Sequence, residues 1–197
     1  GSLAAGNFDT DDPTELFAAR KTPGGAFSEE SWELRSLDQD GGGVWQAAAS
    51  TALESAASQV LWEGIGGTDA LVVHDSLREE VVLVDHPLSA TPQTVTPWFP
   101  ATGEVAALAT GDLDGDGDQD LLLPWSERGE LLWLPNLGVT EAPPALYVAE
   151  NLTGLGVATS GDVNADGLDD VLIAVQEDVG QWRVMSLTNF GQPDCNG

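Results

Sequence analysis

The sequence predicts an all-β protein built from four repeats of about fifty residues each. Three observations predict it: an acid-rich loop recurs along the chain, an apolar strand-like segment follows each copy, and a segment of small residues precedes each copy. A fixed spacing of this length is typical of repeat architectures.

The acid-rich loop is clearest at residues 112–120 (loop 3) and 162–170 (loop 4). Both loops carry oxygen-bearing side chains at positions 1, 3, 5 and 9 and a Gly at position 6. These side chains are Asp112, Asp114, Asp116 and Asp120 in loop 3, and Asp162, Asn164, Asp166 and Asp170 in loop 4. Carboxylates this crowded repel one another, and Ca²⁺, a hard cation that takes flexible oxygen coordination, relieves the repulsion. Each loop is therefore a candidate calcium site.

A third copy, loop 1, occupies residues 7–15. Its ligand-type side chains at positions 1, 3, 5 and 9 are Asn7, Asp9, Asp11 and Glu15. Asp12 replaces the position-6 Gly, and Pro13 stands at position 7. Asp tolerates left-handed backbone better than most residues, and Pro keeps its carbonyl oxygen. Whether loop 1 holds an ion is left open.

The second repeat has lost most of the pattern. In the aligned segment, residues 61–69, only Glu63 and Asp69 are acidic, while Leu61 and Ile65 occupy positions 1 and 5. We expect a turn here without calcium.

Strand-like segments follow the same order in each repeat. Small-residue segments that predict an inner strand are residues 2–5, 55–58, 106–110 and 157–160, and apolar segments at 120–124 and 170–175 follow the loops. Second strands are expected at residues 32–37, 80–84, 130–134 and 181–187, and a further strand at 145–149. Residues 46–59 are Ala-rich and favour helix by propensity, but repeat register places their second half on an inner strand.

Four short strands per repeat predict a blade of a β-propeller. The sequence thus predicts a single propeller domain with blades at about 1–53, 54–103, 104–153 and 154–197. A closed ring of four blades is the favoured arrangement. The alternative is half of an eight-bladed ring completed by a second chain, which would make the protein a homodimer.

The loops resemble the FG-GAP and VCBS repeat family, which forms the blades of the integrin α-subunit propeller and occurs in many bacterial secreted proteins. Residues 111–121 and 161–171 carry the resemblance. It implies a β-propeller with Ca²⁺ bound by the side chains at positions 1, 3, 5 and 9 and by the carbonyl at position 7. The position-7 residues here are Asp118 in loop 3, Leu168 in loop 4 and Pro13 in loop 1. Two calcium sites are expected, with loop 1 as the third candidate.

The composition restricts the classes of partner. The chain has 33 acidic and 6 basic residues, giving a formal net charge of −27. Such a chain repels nucleic acid and anionic membranes, and it has no apolar run long enough for a membrane span. Cys195 is the only cysteine, so one chain forms no disulfide, and we expect no role for it in the fold. Weak calcium loops suit millimolar extracellular Ca²⁺, which predicts a secreted or cell-surface protein.

The loops have two alternative interpretations, an EF-hand and a turn without a metal ion. An EF-hand needs a bidentate Glu at position 12 and flanking helices, but position 12 is Leu123 in loop 3 and Ile173 in loop 4. An ion-free turn is the other reading, because Asp and Gly both favour turns. Three loops in the same register favour metal over this reading.

The sequence is compatible with three functions. The favoured one is a non-catalytic, calcium-stabilised module for adhesion or protein binding, with an unidentified protein or glycan partner. A lectin is the alternative and needs exposed aromatic side chains, Trp98 or Trp125 foremost, whereas Trp32, Trp133 and Trp182 are expected to pack in the core. A hydrolase is the third, for which the sequence offers only weak candidates, namely His74, His86 and the carboxylates. The two histidines are otherwise expected to be surface loop residues.

Overall fold

A computed structural model describes residues 3–6, 15–22, 31–39, 44–53, 58–65, 68–85, 94–137 and 144–189. These residues form strands, turns and short connections, and they contain no helix, so the all-β prediction is confirmed. In this part of the chain no helix exists that could cross a membrane. The strands are β1 Leu3–Gly6, β2 Glu15–Thr22, β3 Ser31–Gln39, β4 Trp45–Leu53, β5 Ser58–Ile65, β6 Thr68–Asp75, β7 Glu80–Asp85, β8 Thr94–Pro100, β9 Ala109–Gly111, β10 Asp120–Trp125, β11 Glu130–Leu134, β12 Leu146–Ala149, β13 Leu155–Gly161, β14 Asp170–Asp178 and β15 Gln181–Leu187.

The strands form four sheets, each from one stretch of sequence. Their orders are β1-β2-β3-β4, β5-β6-β7-β8, β9-β10-β11-β12 and β13-β14-β15. Every sheet lies within one of the four repeat ranges, and the last has three strands among the described residues. Where the Ala-rich segment is described, backbone pairing overrides its helix propensity: residues 46–53 lie in β4 and residues 58–59 begin β5.

The chain divides into two compact units, one of residues 1–61 and 67–102, the other of residues 62–66 and 103–197. In the first unit, Leu71–Val73 of β6 and Val81–Val84 of β7 are buried. Because successive side chains on a strand point to opposite faces, burial of consecutive residues means that both faces of these central strands are covered.

The second unit has its core between two sheets. Leu122 and Leu131 of the β9–β12 sheet pack with Val171 and Ile173 of β14 and with Leu155 of β13. Leu121 and Leu123, on the opposite face of β10, are also buried. The pairing of these two sheets brings β9 and β13 into contact, and loops 3 and 4 begin directly after these two strands.

The same backbone pair closes each acidic loop. Gly6 pairs with Glu15, Gly111 with Asp120 and Gly161 with Asp170, so that each loop leaves the sheet after a Gly and returns at an acidic residue. The alignment of loop 1 with loops 3 and 4 therefore holds at the level of strand register.

The second repeat differs from its expected turn at residues 61–69. Strand β5 continues to Ile65 and β6 begins at Thr68, so Leu61, Glu63 and Ile65 belong to a strand. Positions 1 and 5 are apolar here, so this segment lacks the clustered carboxylates of loops 3 and 4.

Candidate calcium-binding loops

Loop 3 is folded by its own aspartates. The two oxygens of Asp112 accept the N–H groups of Gly115 (2.8 Å) and Gly117 (3.1 Å). Asp114 Oδ1 accepts the N–H of Asp116 at 3.2 Å, and Asp116 Oδ1 accepts that of Asp118 at 2.9 Å. Side chains that bond backbone two residues onward make consecutive Asx turns, which curl the loop around the carboxylates.

Loop 4 repeats this pattern. The oxygens of Asp162 accept the N–H groups of Gly167 (2.9 Å) and Asp166 (3.2 Å). Asn164 Oδ1 also accepts the N–H of Asp166 at 2.8 Å, and Asp166 Oδ1 accepts that of Leu168 at 3.0 Å. Loops 3 and 4 therefore share a backbone conformation as well as a sequence motif.

Left-handed backbone occurs at positions 4 and 6 of both loops. In loop 3 these are Gly115 (φ +78°) and Gly117 (φ +96°); in loop 4 they are Ala165 (φ +64°) and Gly167 (φ +91°). Glycine adopts this region without the steric cost that a Cβ brings. Ala165 therefore carries backbone strain that its counterpart Gly115 avoids.

The curl of loop 3 gathers three carboxylates. One oxygen from each of Asp112, Asp114 and Asp116 lies within 4.8 Å of the other two. At this separation two unit charges repel by about 1 kcal/mol even at the dielectric constant of water. Partial burial, together with the neighbouring carboxylates of Asp116 and Asp112, raises the pKa of Asp114. The cluster has the oxygen ligands that Ca²⁺ prefers.

Loop 4 carries a lower charge at the equivalent positions, because Asn164 stands where loop 3 has Asp114. Asp162 and Asp166 are exposed, and the N–H of Gly167 is the main cause of a lowered pKa at Asp162. The amide oxygen of Asn164 is also a ligand type that Ca²⁺ accepts. A site here has two carboxylates and one amide.

The position-9 aspartates are anchors of the loop as well as predicted ligands. Asp120 is buried and accepts the N–H groups of Leu113 (3.0 Å) and Asn136 (2.8 Å). Asp170 is buried likewise and accepts those of Val163 (3.2 Å) and Asn189 (2.8 Å). Burial raises the pKa of Asp120 to about 6. The triad of close carboxylates does not include Asp120, so its role as a ligand stays a prediction.

The remaining predicted ligands are placed as follows. Asp118 is exposed at the tip of loop 3, and Leu168 is half-buried in loop 4. Glu15 is the first residue of β2. Asn7, Asp9, Asp11 and Pro13 lie outside the described residues.

Loops 3 and 4 are joined by residues that the motif did not single out. The side chain of Asp169 accepts the N–H of Asp112 at 3.1 Å. The Asn189 amide donates to the carbonyl oxygens of Leu113 (2.7 Å) and Asp169 (3.1 Å). Ser160 Oγ donates to the Thr110 carbonyl at 2.5 Å. Two candidate metal loops therefore share one hydrogen-bond network.

A sequence signal for this network exists. Asn136 and Asn189 each stand two residues after the end of the third strand of their sheet, in Leu134-Pro135-Asn136 and Leu187-Thr188-Asn189. Both donate a backbone N–H to the position-9 Asp of their own repeat. A Leu-x-Asn comparison between the repeats would have identified them.

Close approach of the two loops also explains a glycine. A Cβ on Gly111 would lie 2.0 Å from Ser160 Oγ and 2.9 Å from Asp169 Oδ2. Only a residue without a side chain fits between β9 and β13 at this point, which accounts for the Gly that precedes loop 3.

The aromatic residues on which a lectin reading depends are buried. Trp98 and Trp125 are both in the core, and the Arg128 guanidinium lies 3.8 Å from the Trp125 ring centroid. Trp133 is partly buried against the core of the second unit, as expected, and the side chain of Trp32 lies outside the described residues. The prediction that Trp182 packs in the core is wrong. Its side chain is 57% exposed, because it lies on the outward face of the last sheet.

His74 is not a surface loop residue, as had been expected, but a buried residue of β6. Its Nε2 lies 3.3 Å from the Ala101 carbonyl oxygen, and burial lowers its pKa. The carboxylate of Asp75 accepts the N–H groups of Leu77 and Arg78 in the following turn. His86 and Cys195 lie outside the described residues.

No family model and no curated protein matches this chain. The likeness of loops 3 and 4 to FG-GAP and VCBS repeats therefore stays a resemblance of motif.

Proposed function

We propose that the chain is a non-catalytic, calcium-stabilised binding module of the β-propeller type, from a secreted or cell-surface protein. Loops 3 and 4 would each hold one Ca²⁺, and loop 1 is a third candidate. The observation that carries the proposal is the carboxylate triad of Asp112, Asp114 and Asp116, built by a loop conformation that loop 4 repeats.

The residues fit a hard divalent cation. The loops offer carboxylate, amide and carbonyl oxygens, and their positive-φ residues allow a tight curl. When bound, Ca²⁺ would supply positive charge that cancels the repulsion between carboxylates. Asp112 and Asp162 would orient each loop, since both already bond its backbone, while Asp120 and Asp170 tie it to the sheet.

The proposed role of the metal is structural. A ligand that binds only the folded state stabilises it, by about 2.7 kcal/mol per site when its concentration is a hundred times the dissociation constant. The loops connect strands of sheets that pack together in the second unit. Fixing the loop conformation would therefore stabilise the edge of that core. Recognition of a protein or glycan partner would use the loop surfaces that this edge presents.

A Ca²⁺ titration by isothermal calorimetry tests the proposal. We expect at least two sites on the wild-type chain, and weaker binding at one site in each of the single variants D116N and D166N, because each removes one carboxylate charge while an amide oxygen remains. Both residues are exposed, so the substitutions leave the core intact. D178N, which removes the same charge from an exposed residue of β14 outside the loops, is the matched control and should bind as wild type. Absence of Ca²⁺ binding by the wild type, or equal binding by D116N and D178N, would contradict the proposal.

A further inference from the structure

A residue of loop 4 holds the first residue of loop 3. Asp169, at position 8 of loop 4, accepts the N–H of Asp112 through its carboxylate at 3.1 Å. The backbone N–H of Asp169 donates to the carbonyl oxygen of Asp112 at 3.4 Å. Both backbone polar groups of Asp112 are therefore bound by one residue of the next repeat. The carboxylate of Asp112 in turn accepts the N–H groups of Gly115 and Gly117.

The contact between the loops extends beyond this pair. A Cβ on Gly115 of loop 3 would lie 2.9 Å from Cδ2 of Leu168, so the Leu168 side chain lies against the backbone of loop 3. The Asn189 amide bonds the carbonyl oxygens of Leu113 and Asp169. Positions 1, 2 and 4 of loop 3 therefore each contact loop 4 or Asn189.

Position 8 distinguishes loop 4 from the other repeats. The residues aligned at this position are Thr14, Thr68, Gln119 and Asp169, so the last repeat alone has a charged residue there. Position 8 is also not one of the predicted calcium ligands. The carboxylate that fixes Asp112 is therefore a feature of this pair of loops and not of the repeat motif.

Asp169 is placed where it would respond to an ion in loop 4. It lies between Leu168, whose carbonyl oxygen is a predicted ligand, and Asp170, the position-9 aspartate. Both neighbours belong to the proposed site of loop 4, so the backbone of Asp169 loses freedom when that site is filled. A residue that is already fixed has less freedom left to lose when it holds Asp112 in place.

We propose that Asp169 is a positioning residue for the calcium site of loop 3, and that it couples the two sites, so that Ca²⁺ in loop 4 strengthens Ca²⁺ binding in loop 3. This inference rests on the proposed calcium function. The coupling is reciprocal, so Ca²⁺ in loop 3 strengthens binding in loop 4 by the same factor. Repulsion between the two bound ions opposes it, and an ionic strength of about 0.15 M screens exposed charges beyond about 8 Å.

A Ca²⁺ titration followed by heteronuclear NMR at that ionic strength tests the proposal. The amide of Gly117 reports loop 3 and the amide of Gly167 reports loop 4, because each stands at position 6 of its loop. We expect D169A to weaken binding at loop 3 about tenfold, since it removes a hydrogen bond to a charged group. D169N keeps an oxygen that can accept the N–H of Asp112, and should weaken binding no more than about threefold. D178A and D178N, at an exposed residue of β14 outside the loops, are the matched controls and should bind as wild type.

A double-mutant cycle separates coupling from a purely structural effect. D166N weakens the site of loop 4, and should lower the affinity of loop 3 about fivefold when Asp169 is present. In the D169A background the same substitution should leave the affinity of loop 3 unchanged. Equal fold-changes in the two backgrounds would overturn the coupling.

The outcomes also separate this inference from the proposed function. Ca²⁺ binding at both loops with D169A equal to wild type would overturn the inference and leave the proposed function intact. Equal losses in D169A and D169N would assign the effect to charge, and would overturn the positioning role. The absence of any Ca²⁺-dependent shift in the wild type would contradict the proposed function itself. Melting temperatures in chelator identify a variant whose fold has changed, and D169N keeps the test decisive if D169A does not fold.

Discussion

At the scale of single residues, the loops show where sequence chemistry and backbone geometry agree and where they conflict. Loop 3 has glycine at both left-handed positions, whereas loop 4 has Ala165 at one of them, at φ +64°. A residue with a Cβ destabilises the folded state by about 1–2 kcal/mol when it adopts this region. Glycine avoids that strain, but its greater freedom in the unfolded chain cancels about 0.5–1 kcal/mol of the gain.

Replacing Ala165 with Gly should therefore stabilise the fold by about 0.5–1 kcal/mol. The opposite substitution, G117A, should destabilise it by a similar amount, about 0.5–1 kcal/mol, although no atom within 4 Å obstructs the new methyl group. Both effects are measured by urea unfolding in the presence of chelator, which keeps metal affinity out of the comparison. Equal stability of A165G and wild type would contradict the strain assigned to Ala165 and show that loop 4 relaxes out of the left-handed conformation.

At the scale of elements, the network between loops 3 and 4 depends on Asn189. Its side-chain amide donates to one carbonyl of each loop. Removing the amide in N189A leaves both carbonyl oxygens to find other donors, and should cost about 1–3 kcal/mol of unfolding free energy.

The same variant should also weaken Ca²⁺ binding at loop 3, because Leu113 is then less firmly held beside Asp112. T188A, at the exposed neighbouring residue, is the control and should change neither quantity. Calorimetric titration and urea unfolding of N189A, T188A and wild type make the comparison. A loss of stability with unchanged affinity at loop 3 would limit Asn189 to a structural role.

Local pattern was sufficient to predict several elements closely. The bounds of β11 and β15 follow from alternating or continuous apolar runs between turn residues. For the Ala-rich segment the repeat register predicted strand only in its second half, of which residues 54–57 lie outside the described residues, whereas its first half forms β4. The second repeat was harder to predict, because its glycines at residues 64, 66 and 67 are typical of a turn, whereas strand β5 continues to Ile65. Asn189 was missed because it lies outside the acidic-loop motif, although the Leu-x-Asn pattern that it shares with Asn136 is present in the sequence. The burial of His74 and the exposure of Trp182 depend on which sheet faces are covered, which alternation within a strand does not specify.

At the scale of the whole chain, acidity is the dominant property. A net charge of −27 opposes a compact state through self-repulsion, and the loops concentrate part of this charge in small volumes. The described strands form four sheets, one in each repeat range, and calcium in the loops would offset the local repulsion. Stability should then depend on Ca²⁺ itself rather than on ionic strength alone.

Thermal unfolding of the wild-type chain in millimolar Ca²⁺ and in excess chelator, with NaCl added to match ionic strength, tests this claim most directly. One occupied site worth about 2.7 kcal/mol, at about 2–4 °C per kcal/mol for a chain of this size, predicts a melting temperature roughly 5–10 °C higher with Ca²⁺. Two sites predict a larger increase. Equal melting temperatures in the two buffers would contradict calcium stabilisation and leave the acidic loops as ion-free turns.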